Sequence, residues 1–499
     1  MSETEIQKFY KGCNVFITGG TGFLGKIMIE KLLRSTEINT LYLLIREKKG
    51  KNALTRIDEL FDDEIFDTLK KERPKFKHQI QIISGDCAIA GLGVSIKDRQ
   101  TLISNVNILF NVAATVKFDE NLKIAYAINV NSAKEVIEMA KQMTNLKSLI
   151  HVSTAYCNCP LSEIDEKFYD FPHSHEDIEQ LLEKLSFQET DEITPRILGK
   201  WPNTYTFTKA LTESMLKKIG GGLPLGIFRP AIVISTYREP VPGWINNLYG
   251  PTGIVAATMS GVLRVMSVDI DCKADMVPVD TCVAGLLASA WDTGCKKVER
   301  TPENITIYNY VTSAQNPVTW REFAAVNTLY GKQFCSGRYF WPPSLYFIGS
   351  PFWYALVRLL LHIIPASIVD ALLFLTGNKP RALDIYRRMH KLCGALQYFV
   401  TRSWSFSNNN MSNVWQKMSE EDRGIFNFNI RDVHWMNFYH HYTRGIRKYL
   451  LKESEEHLEE DRIRNERFIL LKDILKYLMI YAIISTVFSI LSITYHAIF

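Results

Sequence analysis

Short, almost wholly apolar runs punctuate the first half of the chain, and amphipathic or charged stretches separate them. Val15-Phe16-Ile17 closes the first run. Leu41 to Ile45, Ile80 to Ser84, Val106 to Val112, Leu149 to Val152 and Ile227 to Ser235 follow. Runs of this length and continuity fit strands of a parallel sheet buried on both faces. Ile27, Ile29, Leu32 and Leu33 make an amphipathic run after the first strand, residues 51 to 78 read as a charged helical region, and Asn129-Val130-Asn131 opens a further helix. The alternation predicts an α/β fold with a Rossmann-type doubly wound parallel sheet. Residues 157 to 200 are charged and show no clear pattern. Residues 240 to 280 are rich in turn formers and read as substrate-side loops.

The first strand breaks at Thr18-Gly19, and Gly19, Gly22 and Gly25 follow at three-residue spacing. In a strand, glycine turn and helix, the first glycine permits the tight turn and the second admits a pyrophosphate. The third lets helix pack on strand, and the helix start binds the anion. Thr18, Gly19, Thr21, Gly22, Phe23, Leu24 and Gly25 are the expected cradle. A plain glycine-rich turn has the same letters; the strand before it and the helix after it favour a dinucleotide. The G-x-x-G-x-x-G spacing resembles the extended short-chain dehydrogenase/reductase family. Arg46 ends the second strand, with Lys49 close behind, where an NAD enzyme usually carries an acid. A cation there suits a 2′-phosphate and predicts NADPH; a solvated basic turn is the bland alternative. Asp86 can accept from the adenine amino group or be a surface turn acid. Ala113-Ala114 lets backbone lie along the cofactor, and Pro230-Ala231 would sit against the nicotinamide.

The chemistry is expected from Tyr205 and Lys209. Of 22 tyrosines, Tyr205 alone has a lysine four residues on, and helical spacing puts both on one face. An ammonium one turn away stabilises a phenolate and lowers the phenol's pKa, so Tyr205 can give a proton to a carbonyl oxygen as hydride reaches carbon. Thr154 or Ser153, at the C-terminal end of a central strand, holds the same oxygen. An amphipathic helix with a packed tyrosine and lysine is the alternative reading.

The 499 residues suffice for two or three domains. A net charge of +5, with no basic stripe interleaved with aromatics, argues against a nucleic-acid partner. Nine scattered cysteines, Cys157 and Cys159 among them, offer no metal spacing and read as reduced thiols of a cytosolic site. The N-terminus has no apolar signal region. Residues 339 to 376 are strongly apolar but interrupted by Arg358, Asp370 and prolines; an interfacial or hairpin segment or an acyl tunnel is favoured over a spanning helix. Lys452 to Arg467 reads as a charged helical stalk. Tyr477 to Phe499 carries no charge, and as a helix would span roughly 34 Å. Arg462, Arg464, Arg467, Lys472 and Lys476 precede it and no Lys or Arg follows. This predicts a single C-terminal anchor with the catalytic part cytosolic. No receptor-read C-terminal address separates peroxisome from endoplasmic reticulum.

T-G-G-T-G-F-L-G, L-I-R-E-K-K-G, S-T-A-Y, Y-T-F-T-K-A-L, F-R-P, G-W-I-N-N…G-P-T-G and D-M-V-P-V-D together resemble the alcohol-forming fatty acyl-CoA reductases. The stretch from Lys379 to Lys452 resembles that family's C-terminal male-sterility domain. The resemblance covers nearly the whole chain. It departs at Asn429 and His434, where acids are expected, and at Ala284, where asparagine is expected. It implies a long-chain fatty acyl-CoA substrate and two NADPH, giving a primary fatty alcohol. Tyr205 and Lys209 would be the catalytic pair, with Thr154 or Ser153 beside them and Arg46 on the 2′-phosphate. The implied domains are a reductase domain over 1–335, an apolar segment over 336–378, a smaller mostly helical domain over 379–452, a stalk over 453–476 and a transmembrane helix over 477–499. A membrane sterol dehydrogenase or a nucleotide-sugar epimerase would share the glycine turn and the Tyr/Lys pair, without the second domain. A catalytically silent NADP-sensing membrane scaffold is the rival from outside enzymology.

Overall fold

The computed structural model describes residues 2–48, 50–297, 299–339 and 341–498. Lys49, expected near the 2′-phosphate, lies outside the described residues, as does Phe499 at the end of the expected anchor. The chain divides into two compact units. One comprises Met1–Asn246, Ile270–Trp320 and Gly394–Tyr442; the other comprises Asn247–Asp269, Arg321–Cys393 and Thr443–Phe499.

The first unit is built on a seven-stranded parallel sheet. Its strands are β1 (Asn14–Thr18), β2 (Thr40–Ile45), β3 (Ile80–Ser84), β4 (Ile108–Asn111), β5 (Ser148–Val152), β6 (Leu225–Pro230) and β7 (Thr306–Tyr310). They lie in the order β7-β6-β5-β4-β1-β2-β3, with every neighbouring pair parallel. The order reverses between β1 and β4, which opens the crevice where doubly wound sheets bind ligands. Phe16, Leu109, Leu149 and Ile227 face a core closed by Leu102, Val136, Phe207 and Leu211 from helices. Val15, Ile17, Ile108 and Ile150 are equally buried. Burial on both faces is the reason these strands read as continuous apolar runs.

The expected doubly wound fold is therefore present, with differences in detail. Ile227 to Ser235 is two strands rather than one. Beyond Pro230, Ala231 donates its N–H to Tyr310, and Ile232–Ile234 leaves the main sheet to pair with Met276–Pro278. Residues 157 to 200 hold two helices, His175–Lys184 and Phe187–Leu198, each started by a serine cap. The expected loops of 240 to 280 include a helix, Pro251–Met259.

The second unit is mostly helical. Pro351–Arg358, a π segment Leu359–Ile363 and Ile364–Leu375 run on as one helical stretch. Its 25 residues, with mean hydropathy 1.9 and 17% of the apolar window buried, are long and apolar enough to cross a membrane by length and composition. This candidate lies at 351–375, well before the C-terminus. The expected stalk from residue 458 onward and the described residues of the expected anchor form one helix, Leu458–Ile498. Arg447, 2% exposed, holds the start of that helix through Asp461 at 2.5 Å, and also pairs with Glu453 at 3.1 Å.

Candidate active site

The glycine turn links β1 to the helix Phe23–Ser35. Gly19 has φ +76°, and a Cβ there would meet the backbone N of Ala113 at 2.7 Å. Gly25 lies equally close to the turn: a Cβ would meet Gly19 O at 2.3 Å. Gly22 caps the helix with no side-chain hydrogen bond, so the cap itself leaves the first-turn N–H groups open to an anion. This cradle fits a pyrophosphate. Thr18 does not point outward. Its hydroxyl donates to Asn111 Oδ1 at 2.7 Å and accepts from the N–H groups of Val112 and Ala113. Because Oδ1 of Asn111 is taken, its Nδ2 donates to His151 Nδ1 at 3.0 Å. The three residues cross β1, β4 and β5 as one buried chain, and burial keeps His151 neutral by pulling its pKa well below the usual value. Phe23 stacks on Trp244 at 5.5 Å.

At the end of β2, Arg46 stands 3.7 Å from Asp86. Asp86 also accepts the Ala88 N–H. A second guanidinium that the sequence reading did not single out joins them. Arg56 donates to Arg46 O at 2.5 Å and to Thr21 Oγ1 at 3.3 Å. Burial and the neighbouring Arg46 lower its pKa. Two cations against one carboxylate, beside the glycine turn, suit a phosphate monoester. Arg56 lies in the charged helical stretch, ten residues past Arg46, where only its distance from the turn in space reveals it.

Tyr205 and Lys209 lie one turn apart on the helix Thr204–Ile219, whose start is capped by Asn203 accepting from Thr206 N at 2.8 Å. Tyr205 is half-buried and stacks on Phe118 at 6.1 Å. Phe118 lies 5.4 Å from Phe399. Lys209 is 2% exposed and donates to Val152 O at 2.6 Å. Burial pulls its ammonium down to about 8. Burial also pushes the Tyr205 phenol up to about 12, while the nearby Thr154 hydroxyl pulls it the other way. The Val152 carbonyl takes one of the three N–H donors of Lys209, and at the phenol burial outweighs the opposite pull of Thr154. The phenol stays protonated at neutral pH, the form a proton donor needs.

The two hydroxyls after β5 part company. Thr154 lies close enough to the Tyr205 phenol to pull its pKa down, and its hydroxyl accepts the Tyr156 N–H at 3.3 Å. Ser153 turns away and donates to Glu213 Oε1 at 2.5 Å. Glu213 pairs with Arg229 of β6 at 2.5 Å, and Arg229 is fully buried. Asn129, in the π segment Ala127–Asn131, ties the strand ends to the active-site helix. It accepts from Thr115 N at 2.9 Å and donates to Thr208 Oγ1 at 2.9 Å. Pro230 and Ala231 are buried at the end of β6, where Pro230 O accepts from Ala155 N. Among the described residues no group of His, Cys, Asp and Glu could hold a metal ion.

Two family models described as male sterility protein match residues 17–286 and 361–453, the first of them NAD-binding. Fatty acyl-CoA reductase wat of Drosophila melanogaster is 46% identical over 465 residues, covering 93% of this chain and 89% of that protein. The chain belongs to the fatty acyl-CoA reductase family. Human fatty acyl-CoA reductase 2 is 37% identical to this reductase, covering 90% of this chain and 87% of its own. Among solved structures, the terminal R domain of the myxalamid biosynthetic pathway superposes with TM-score 0.58 at 19% identity, covering 88% of the reductase and 92% of that domain. That likeness concerns the fold.

Proposed function

We propose that this reductase converts a long-chain fatty acyl-CoA, two NADPH and two protons into a primary fatty alcohol, free CoA and two NADP⁺. The observation that carries this is Tyr205 with Lys209 one turn along, Lys209 bonded to the end of β5 at Val152 O, in a sheet whose first strand runs into the glycine cradle.

Gly19, Gly22, Gly25 and the start of helix Phe23–Ser35 would hold the pyrophosphate, and Arg46 with Arg56 the 2′-phosphate. When bound, NADPH supplies a hydride to each reduction. The Thr154 hydroxyl and the Tyr205 phenol both donate to the thioester oxygen, where negative charge develops. Tyr205 passes its proton to that oxygen when it becomes the alcohol oxygen of the second step. The charge of Lys209 beside the phenol favours the phenolate left behind. CoA leaves as thiolate between the two reductions.

The charged stretch 453–476 serves as a stalk, and 477–499 as an anchor that leaves the catalytic unit on the cytosolic side of the peroxisomal or endoplasmic reticulum membrane. The basic residues before the tail support that sidedness. The reductase domain over 1–335 and the family's C-terminal domain over 379–452 are proposed on the motifs they carry.

The test is NADPH oxidation by the detergent-solubilised chain with acyl-CoAs of graded length, with the lipid product extracted. Fatty alcohol at two NADPH per thioester, lost in Tyr205→Phe, is the expected result. Aldehyde at one NADPH would remove the second reduction. No oxidation with any acyl-CoA would overturn the reading and bring forward a sterol dehydrogenase or a silent scaffold.

A further inference from the structure

The helical stretch Pro351–Leu375 presents two different faces. His362, Ala366 and Asp370, at four-residue spacing, are buried. His362 Nε2 accepts the Arg264 N–H at 3.0 Å, and its Nδ1 meets His390 Nε2 at 3.0 Å. The Asp370 carboxylate accepts three backbone N–H groups, from Arg381, Ala382 and Leu383, at 2.8, 2.8 and 2.9 Å, and so caps the helix Ala382–Val400. Leu360, Ile364, Ile368 and Leu372 repeat at the same spacing two residues out of phase, on the opposite side, and are 51, 42, 56 and 57% exposed. Phe352, Trp353, Phe374 and Leu375 extend the apolar face to both ends. A contiguous apolar strip of this length, about 37 Å, marks an interaction surface.

A helix crossing a bilayer upright would put its middle in hydrocarbon. Here the middle is where His362 and Asp370 reach sideways to Arg264, His390 and the start of the next helix, all within the same compact unit. An upright crossing would drag those polar partners into the hydrocarbon as well, which is costly for each of them. A helix lying flat keeps its polar side in the protein and gives only its apolar side to lipid. The chain just beyond it is basic: Lys379, Arg381 and Arg388 are exposed, as is Arg387 beside its partner Asp384. An apolar face next to a cluster of cations fits an anionic lipid surface.

We propose that Pro351–Leu375 lies in the plane of an anionic membrane leaflet, with the Leu360, Ile364, Ile368 and Leu372 face in the acyl-chain boundary and Lys379, Arg381 and Arg388 on the headgroups. This is a second membrane contact, separate from the C-terminal tail, and it stands whatever reaction the site performs.

The test places an environment-sensitive fluorophore at Leu360→Cys, Ile364→Cys and Leu372→Cys in turn, in full-length protein with exposed Cys295 changed to serine. The protein is reconstituted in phosphatidylcholine vesicles containing phosphatidylserine. Lipids carrying nitroxide near the headgroup or near the acyl-chain end serve as quenchers. The expected result is similar quenching at all three positions, stronger from the shallow nitroxide. Replacing Lys379, Arg381 and Arg388 by glutamate should lower it by about half in these vesicles. Strongest quenching at 364 by the deep nitroxide would mean an upright span and overturn the proposal. Absence of lipid quenching at all three sites would overturn it too, with the face covered by protein or by a second copy. Unchanged quenching in the glutamate variant would overturn the anionic assignment. Acyl-CoA turnover, measured in parallel, reports separately on the proposed reaction.

Discussion

Arg229 and Glu213 form an ion pair that is closed to solvent and lies directly behind the catalytic strand, with Ser153 and Cys157 bonded to the same carboxylate oxygen. It joins β6 to the helix that carries Tyr205 and Lys209. Removing one partner leaves the other charged and buried. Glu213→Gln should therefore cost about 3–5 kcal/mol of stability, read from chemical denaturation. Pairing Glu213→Leu with Arg229→Met should recover most of that loss.

The two neighbouring hydroxyls should separate cleanly in kinetics. Thr154→Val, which removes the hydroxyl that pulls on the Tyr205 phenol, should lower kcat about tenfold to a hundredfold. Tyr205→Phe should lower it by about 10²–10⁴. Ser153→Ala should mainly cost stability, about 1–3 kcal/mol, because it strips a hydrogen bond from Glu213. Initial rates and thermal melts on the same preparations decide this.

Cofactor choice should depend on Arg46 and Arg56 together. Each charge-assisted contact to a phosphate is worth about 1.5–3 kcal/mol. Arg46→Ala and Arg56→Ala should each raise the KM for NADPH about tenfold or more and leave the KM for NADH nearly unchanged. Steady-state kinetics with both nucleotides at fixed acyl-CoA measures the ratio.

The alkaline side of the pH profile should report Lys209. Its pKa falls from the usual lysine value to about 8, so it is charged below that pH and neutral above it. Tyr205, at about 12, remains protonated throughout the range. If the ammonium supports the phenolate, kcat falls as pH rises through about 8. Lys209→Arg, always charged, should remove that limb. A profile that stays flat to pH 10 in the parent enzyme would contradict the role.

What the amino-acid pattern disclosed depended on how local the signal was. β2 and β5 were readable to within a residue because strands buried on both faces must be apolar throughout; β3, half-exposed at the sheet edge, was readable from the isoleucines at 80, 82 and 83. β7, Thr-Ile-Tyr-Asn-Tyr, was not, because its polar letters are satisfied by partners from far away. Asn309 donates to Ile164 O and Ser407 O, and Tyr308 to Asp292. The helices of 175–198 were overlooked although Ser186 and Glu189 form a capping box at one of them; their exposed, charged faces hid the period. Tyr205 and Lys209 could be found because one helical turn joins them. Arg56, Glu213 and the Asn111–His151 contact could not, since each acquires meaning only from a residue on another element. The commitment of Thr18 and Ser153 to the interior was hidden for the same reason.

The catalytic unit draws on three separate stretches of chain, the last being Gly394–Tyr442. That stretch supplies Phe399, against Phe118 and Tyr156, and Ser405–Phe406, which pairs with Glu163–Ile164. A message that ends early, or a splice form that drops the final third, therefore does not encode a smaller soluble version of this enzyme. It encodes a nucleotide fold with part of its aromatic wall missing. Inherited lesions between residues 394 and 442 should accordingly behave as losses of the enzyme itself.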